Sequence, residues 1–213
     1  MNPVSRQTLK RMPHYLSYLK SLPSDRSINI SATGIAAELG LNQVQVRKDL
    51  AAVSTGGKPK VGYAISSLIE DIEKYLGCGD TNSAVIVGAG SLGMALMSYE
   101  GFADYGLHIV AAFDTNPKLA GKEAHGKTIF PMAKLKDLCE RLGVHIGIIA
   151  VPARAAQDVC DVLVKSGIRA IWNFAPVYLN VPNHVILQHE NMAVSLSVLS
   201  KHLSERLHAG ESR

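Results

Sequence analysis

Apolar residues recur along this chain with two different periods. Up to residue 76 the spacing is helical throughout. Leu9, Met12, Leu16, Leu19 and Leu22 form one stripe, the signature of an amphipathic helix. Ser5 is placed to cap it, Pro13 to tighten or bend its first turns, and Pro23-Ser24-Asp25 to end it. Ser31 caps a short second helix, Thr33–Leu39, with Ile35, Ala36 and Leu39 inward, and Gly40 fits the left-handed position that stops a helix. Asn42 caps a third helix carrying Val44, Val46, Leu50 and Val53. Ser54 to Tyr63 reads as a glycine-rich hairpin. Ile65, Leu68, Ile69, Ile72, Tyr75 and Leu76 predict a fourth helix, and Gly77-Cys-Gly-Asp-Thr-Asn82 a linker.

Beyond the linker, short unbroken apolar runs alternate with helical segments. Ala84–Val87, Leu107–Phe113, Gly126–Phe130, His145–Ala150, Ile168–Trp172 and Val185–Leu187 predict strands. Between them, Leu92, Ala95, Leu96 and Tyr99 predict one helix, and Pro131–Leu142, with Met132, Leu135 and Leu138 inward, a second. Ala153–Ser166, closed by Gly167, predicts a third. The wholly apolar run at 145–150 requires cover on both faces, as strands of a parallel sheet do. The alternation predicts an α/β fold with a doubly wound sheet. Met192, Leu196, Leu199, Leu203 and Leu207 then place one apolar face on a terminal helix. That face fits the chain's own sheet or a partner subunit equally well. The predicted division is 1–77, 78–190 and 191–213.

Composition adds little until charge is divided. A hydrophobic content of 47% with 19% charged residues suits a globular chain with a real core. With no charged-then-apolar leader and no run long enough to span a bilayer, a soluble cytoplasmic protein is expected, with no membrane partner. The net charge of +4 is uneven: residues 1–60 carry +6 and residues 61–213 carry −2. A basic N-terminal part on a mildly acidic body suggests a polyanion as partner. Cys78, Cys139 and Cys160 lie far apart, form no zinc spacing and read as incidental thiols in a reducing compartment. No metal site is expected.

Two stretches carry candidate chemistry. The strand at 84–87 breaks into Gly88-Ala89-Gly90-Ser91-Leu92-Gly93. In a Gly-x-Gly-x-x-Gly turn the first glycine permits the tight turn, the second lets backbone approach a pyrophosphate, and the third lets helix pack on strand. The helix start then offers N–H groups and a positive dipole end to phosphates. Asp114 follows Gly93 by 21 residues at the end of the next strand, where a carboxylate grips a ribose diol. That favours NAD(H) over NADP(H), although Lys118, beyond Thr115, leaves the phosphorylated form open. Val151-Pro152 and Asn173-Phe174-Ala175 fall at the carboxyl ends of later strands, beside the same crevice.

The second stretch is the pair of short helices around Gly40, a helix-turn-helix pattern. Its second helix would offer Asn42, Gln43, Gln45, Arg47 and Lys48 to a DNA major groove. Asn and Gln match adenine, and Arg matches guanine. Lys58 and Lys60, near the hairpin tip, and Arg11, near the start of the first helix, are candidate phosphate contacts. The competing class is an NAD-dependent oxidoreductase. It lacks support: there is no Tyr-x-x-x-Lys pair, the eight histidines are scattered, and few residues remain for a substrate domain. Ser91 reads as a phosphate contact and Trp172 as core. A nucleotide- or CoA-binding protein without DNA function is a third reading, which leaves the basic N-terminal part without a role.

The whole combination resembles the Rex family of redox-sensing transcriptional repressors. The resemblance rests on Gln45-Val-Arg-Lys-Asp-Leu50, Val61-Gly-Tyr63, Gly88-Ala-Gly-Ser-Leu-Gly93, Phe113-Asp114, Val151-Pro152 and Asn173-Phe-Ala-Pro176. It implies an N-terminal winged helix-turn-helix domain, an NAD(H)-binding Rossmann domain and a C-terminal helix swapped between the subunits of a homodimer. It implies that NADH sits between the nucleotide domains, closes the dimer and releases it from palindromic operator DNA, and that NAD+ competes and favours the DNA-bound form. The chain departs from the family at Ala51–Gly57, which lacks an aromatic residue, and at Lys58-Pro59-Lys60, where Lys-Arg-Gly is usual. Ser17 stands for an arginine, and Asn191 for an aspartate, of the network that couples NADH to domain movement. Tyr99 matches the tyrosine of that network.

Overall fold

Ser5 starts the first helix, α1 (Arg6–Lys20), by accepting a hydrogen bond from the Thr8 N–H at 3.1 Å, which satisfies one of the donors a helix start leaves free. The computed structural model describes residues 5–23, 28–78 and 82–210. Ser24 and Asp25, read as the end of α1, the middle of the linker, and the side chains of Arg6 and Met192 lie outside the described residues. Helix α1 runs through Pro13 without a break. Proline cannot donate to the carbonyl one turn back, and that carbonyl belongs to Leu9, which is half exposed rather than inward. The inward stripe is Met12, Tyr15, Leu16 and Leu19, all essentially inaccessible.

Strand β1 (Asn29–Ile30) leads into α2 (Ala32–Glu38), capped by Ser31. Gly40, at φ +63°, turns the chain so that the Leu41 N–H donates to the Ala36 carbonyl at 2.8 Å, a Schellman closure. Helix α3 (Gln43–Val53) follows under the Asn42 cap. Strand β2 (Tyr63–Ala64) pairs antiparallel with β1 and feeds α4 (Ile65–Leu76). Gly62 (φ +86°) is required there, because a side chain would run into the Ile30 carbonyl. Met12, Leu16, Ile35, Val46, Leu50, Leu68 and Ile72 form the core of this part.

The rest builds a seven-stranded sheet from β3 (Asn82–Val87), β4 (Leu107–Asp114), β5 (Glu123–Ala124), β6 (Lys127–Pro131), β7 (Ile146–Ile149), β8 (Ala170–Asn173) and β9 (Ile186–His189). Their order is β5-β6-β4-β3-β7-β8-β9. All pairs are parallel except the β5–β6 hairpin. From β6 to β9 this is the doubly wound order, with its switch point between β3 and β7. Alternate β3 residues face opposite ways. Val85 and Val87 join Leu135, Cys139 and Leu163 of α6 (Leu135–Leu142) and α7 (Ala153–Lys165); Ala84 and Ile86 join Met97 of α5 (Ser91–Ser98). The inward face of α5 is Gly93 and Met97; Ala95 and Tyr99 are exposed. Terminal helix α8 (Met192–Gly210) leaves Leu196, Leu199, Leu203 and Leu207 each more than half exposed. The chain folds into two compact units, Met1–Thr81 with Ala103–Gly106, and Asn82–Phe102 with Leu107–Arg213.

Candidate functional site

In the second unit the switch point carries the glycine loop. Gly88 adopts φ +103°, and a Cβ there would strike the Ala150 carbonyl at the end of β7. A Cβ on Gly93 would strike the Gly88 carbonyl, so helix and turn touch through backbone alone. Gly90 is the opposite case: a Cβ would meet open space. Its Cα therefore faces the crevice, where a large group can approach. Helix α5 begins on Gly90 with no capping side chain. Across the switch point, Val151 is half-buried, Pro152 is exposed, and α7 likewise begins without a capping side chain. Two helix starts thus bring uncapped N–H groups to one crevice, the arrangement that holds anions.

Asp114 closes the loop from β4. Its Oδ2 accepts the Ala89 N–H at 2.8 Å and its Oδ1 accepts the Asn116 N–H at 2.7 Å. Each carboxylate oxygen has a second lone pair, so a diol can still donate to it. The Ala89 N–H is already committed, whereas the N–H groups that start α5 have no capping side chain. Thr115 and Lys118 are exposed beyond Asp114.

Asn173 departs from expectation. It ends β8 rather than following it, and it is fully buried. Its amide N–H groups lie 3.1 Å from the Ala175 carbonyl, 2.9 Å from the Val177 carbonyl and 3.0 Å from His189 Nδ1, and its Oδ1 accepts the Ala175 N–H. An amide nitrogen can only donate, so His189 Nδ1 accepts. These bonds tie the Asn173 side chain to the Phe174–Ala175 turn. Phe174 is half-buried against Trp172, with ring centroids 4.6 Å apart; Trp172 meets Phe102, and Phe102 meets Tyr99. The Trp172 indole donates to Glu190 at 3.1 Å. His189 and Glu190 were missed from sequence. Among the described residues no group of three His, Cys, Asp or Glu could hold a metal ion.

In the first unit, Asn42 Oδ1 accepts the Val44 and Gln45 N–H groups at 2.9 and 3.2 Å. Its Oδ1 is thereby the cap of α3. Gln43, Arg47 and Lys48 are exposed on α3, with Gln43 within 3.4 Å of Thr33 Oγ1. Lys58 and Gly62 exchange two backbone hydrogen bonds of 2.9 Å around Pro59-Lys60-Val61, which makes a tight hairpin tip. Both hairpin lysines are exposed. Arg47, Lys58, Lys60, Ser31, Thr33 and Tyr63 line a cleft of about 380 Å³.

Arg11 has a partner the sequence did not suggest. Asp49, on the inner side of α3, is inaccessible and accepts five hydrogen bonds: from Thr8 Oγ1, two from the Arg11 guanidinium, from Tyr15 Oη and from Gln45 Nε2. The shortest is 2.6 Å, from Arg11 Nε. Burial alone would push this carboxyl up, but the bonds from Arg11, Tyr15, Gln45 and Thr8 outweigh it and hold the pKa below the carboxylate range. Burial and the Asp49 charge push the Tyr15 phenol up to about 12. A signal was present in the sequence: Val46, Asp49, Leu50 and Val53 share one helical face, so a carboxylate stands at a core position and must find buried partners.

A basic helix-turn-helix with a hairpin beside it, carried on the same chain as a nucleotide crevice, is the plan of a ligand-controlled transcription regulator. Residues 80–177 match the CoA binding domain family, and residues 3–51 match the family described as "Putative DNA-binding protein N-terminus". The chain is similar to the redox-sensing transcriptional repressor Rex of Treponema denticola, at 42% identity over 90% of this chain and 91% of that one. It superposes on a crystal structure of RSP in complex with β-NAD+ and operator DNA, with a TM-score of 0.89 at 33% identity, over 99% of this chain and 97% of that one. For RSP in complex with β-NADH the TM-score is 0.88 at 32% identity, over 100% of both chains. The chain belongs to the Rex family of redox-sensing transcriptional repressors.

Proposed function

We propose that this chain is a homodimeric repressor that binds palindromic operator DNA, is released by NADH and so responds to the NADH/NAD+ ratio. The observation that carries this reading is the open, uncapped crevice with Asp114 beside it, on one chain with a lysine-tipped hairpin and a basic recognition helix. Gly90, Ser91, Leu92 and Gly93 would face the pyrophosphate, Asp114 the adenosine ribose, and Val151, Pro152 and the Phe174–Ala175 turn the remainder. Thr115 and Lys118 would edge the ribose site. A carboxylate at 114 disfavours a phosphorylated ribose, which sets NADP and CoA behind NAD(H) despite the match to the CoA binding domain.

On the DNA side, Gln43, Gln45, Arg47 and Lys48 would enter the major groove while Lys58 and Lys60 meet the phosphate backbone. Arg11 would stabilise α3 through Asp49 rather than contact DNA. Residues 1–77 would form the DNA-reading domain, 78–190 the nucleotide domain and 191–213 the dimerisation helix. The exposed leucine face of α8 is suited to a partner subunit, by exchange or by simple packing. Two-fold symmetry matches a palindromic site. No helix among the described residues is long and apolar enough to cross a membrane, in keeping with a cytoplasmic regulator. A dehydrogenase would need an acid/base at the hydride site. His189, which ends β9, is hydrogen-bonded through Nδ1 to the Asn173 amide.

The test is fluorescence anisotropy of a labelled palindromic duplex, at stated salt, titrated with NADH, NAD+, NADPH and CoA. Release by NADH alone is the expected result, and by linkage DNA must weaken NADH binding by the same factor. A complex indifferent to NADH would refute the redox response. No complex at any salt, with NADH still bound, would refute the DNA assignment.

A further inference from the structure

The hairpin and α3 share a cleft whose charge the chain does not neutralise. Arg47 lines it from α3, Lys58 and Lys60 from the hairpin, and Ser31 and Thr33 from the start of α2. No acidic residue lines it, and among the described residues no carboxylate pairs with any of the three cations. Other cations of this unit are neutralised: Arg11 pairs with Asp49, and Lys20 with Glu73. The walls of the cleft are held in place. Gly62 lies against the Ile30 carbonyl and Tyr63 pairs with Ile30, which locks the hairpin to the residue before Ser31. The Arg47 charge opposes the upward push that burial gives the Tyr63 phenol, so the guanidinium lies on the hairpin side of α3. Ser31 Oγ accepts the Gly34 N–H at 3.0 Å, and its own O–H is left to donate. Lys60 adopts φ +63°, a left-handed backbone that a residue with a side chain rarely takes. Glycine would hold that turn without strain. Lysine keeps the strain and adds a charge at the cleft, and strain of this kind gathers where a side chain has work to do.

We propose that this cleft seats one phosphodiester of the operator backbone in each half-site, and that Arg47 is an anchor on that phosphate, not a reader of guanine. Three cations around one cleft, with a hydroxyl donor beside them, match an anion. A guanine edge offers only two neutral acceptors, N7 and O6, and would engage the guanidinium without the hairpin lysines. The inference rests on the operator-binding reading above and departs from it at one residue. It moves Arg47 from selecting sequence to fixing register on the duplex. Gln43, Gln45 and Lys48 are then the residues of α3 that discriminate bases.

The test uses the full-length protein and a palindromic duplex that it selects from a random pool. A neutral methylphosphonate replaces each backbone phosphate of that duplex in turn. The expected result is a position in each half-site where the neutral linkage weakens binding by the parent but not by the double variant Arg47→Ala, Lys60→Gly. On the unmodified duplex the slope of log affinity against log salt should flatten by about 2 in the double variant, at about 0.9 for one phosphate in each half-site. Selection from the pool by Arg47→Ala should return the parent's base preferences at lower affinity. Lys60→Gly relieves the backbone, so its thermal midpoint by circular dichroism should match or exceed the parent's, which separates weak binding from a folding defect. If that variant does not fold, Arg47→Ala still decides. A guanine preference lost at one base pair in the Arg47→Ala selection overturns the inference. So does a variant that keeps the parent's sensitivity to every methylphosphonate. If the parent selects no duplex, the operator-binding reading falls as well; phosphate sensitivity that ignores Arg47 and Lys60 sinks only this inference.

Discussion

Three helices of the first unit begin on side chains that accept their free N–H groups: Ser5 for α1, Ser31 for α2 and Asn42 for α3. Helix α4, which follows a strand directly, is the exception. The two helices that start at the switch point of the second unit begin on Gly90 and Pro152, which offer no acceptor side chain. The contrast extends to charge. In the first unit Asp49 is saturated by protein donors and buried; in the second, Asp114 holds two backbone N–H groups at the lip of an open crevice. Self-capped helices and saturated charges make a body that must keep one shape to present a surface. Uncapped helix starts and a carboxylate with spare lone pairs make a site completed by something else.

The largest expected effect lies in the saturated knot. Asp49→Ala leaves the Arg11 guanidinium and the Tyr15 hydroxyl without their acceptor, and removing one partner of a buried ion pair costs about 3–5 kcal/mol. Urea denaturation followed by circular dichroism should show the first unit destabilised, while nucleotide binding by the second persists. An unchanged midpoint would mean that the knot is not what fixes α3 on α1. The pH dependence has a definite sign. The Asp49 pKa is depressed in the fold, so its contribution is complete above the ordinary carboxylate value of about 4 and is lost as pH falls through the lower folded value. Asp49→Asn should lack that acid-side loss.

Next in size is the glycine loop. Gly88→Ala demands a left-handed backbone of an alanine, about 1–2 kcal/mol, and drives its methyl into the Ala150 carbonyl. Gly93→Ala pushes α5 off the Gly88 carbonyl. Either change should abolish measurable NADH binding by calorimetry, whereas Gly90→Ala, whose Cβ meets open space, should fold unchanged and lose affinity only where the ligand would lie. Equal folding defects at all three positions would erase the distinction between packing glycines and the crevice glycine.

Asp114→Ala comes after that. A hydrogen bond to a charged group contributes about 1.5–3 kcal/mol, so NADH affinity should fall by one to two orders of magnitude while operator binding in the absence of nucleotide is kept. NADPH should be penalised less than NADH, because the repelling charge is gone. Unaltered NADH affinity would move the ribose away from β4.

What the sequence made legible follows from which forces are local. Caps, glycine stops and apolar spacing are set by residues a few positions apart, so Ser31, Asn42 and Gly40 and the strands of the parallel sheet were readable. The glycine motif and Asp114 were readable because backbone geometry fixes their spacing. Long-range polar pairing was not. The bond of Arg11 to Asp49, 38 residues on, and the closure of Val177 and His189 around the Asn173 side chain join residues whose spacing carries no local signal. The two-residue edge strand β5 was missed because it exists only as a partner to β6 around the His125–Gly126 turn. In α5 the helical period was readable, and Gly93, read as the glycine that lets helix pack on strand, is the one buried against the Gly88 carbonyl.

The smallest effect concerns the two family positions that differ here. Asn191 caps α8: its Oδ1 lies 3.1 and 3.3 Å from the Ala193 and Val194 N–H groups. An aspartate would make the same cap and add a negative charge at a helix start, worth about 0.3–1 kcal/mol. Asn191→Asp alone should therefore raise the stability of α8 slightly and leave the response to NADH nearly as it is. Ser17→Arg together with Asn191→Asp should increase the ratio of operator affinities measured without and with NADH by more than the two single changes combined, the signature of coupled residues. Strict additivity would show that the two positions are not coupled in this chain.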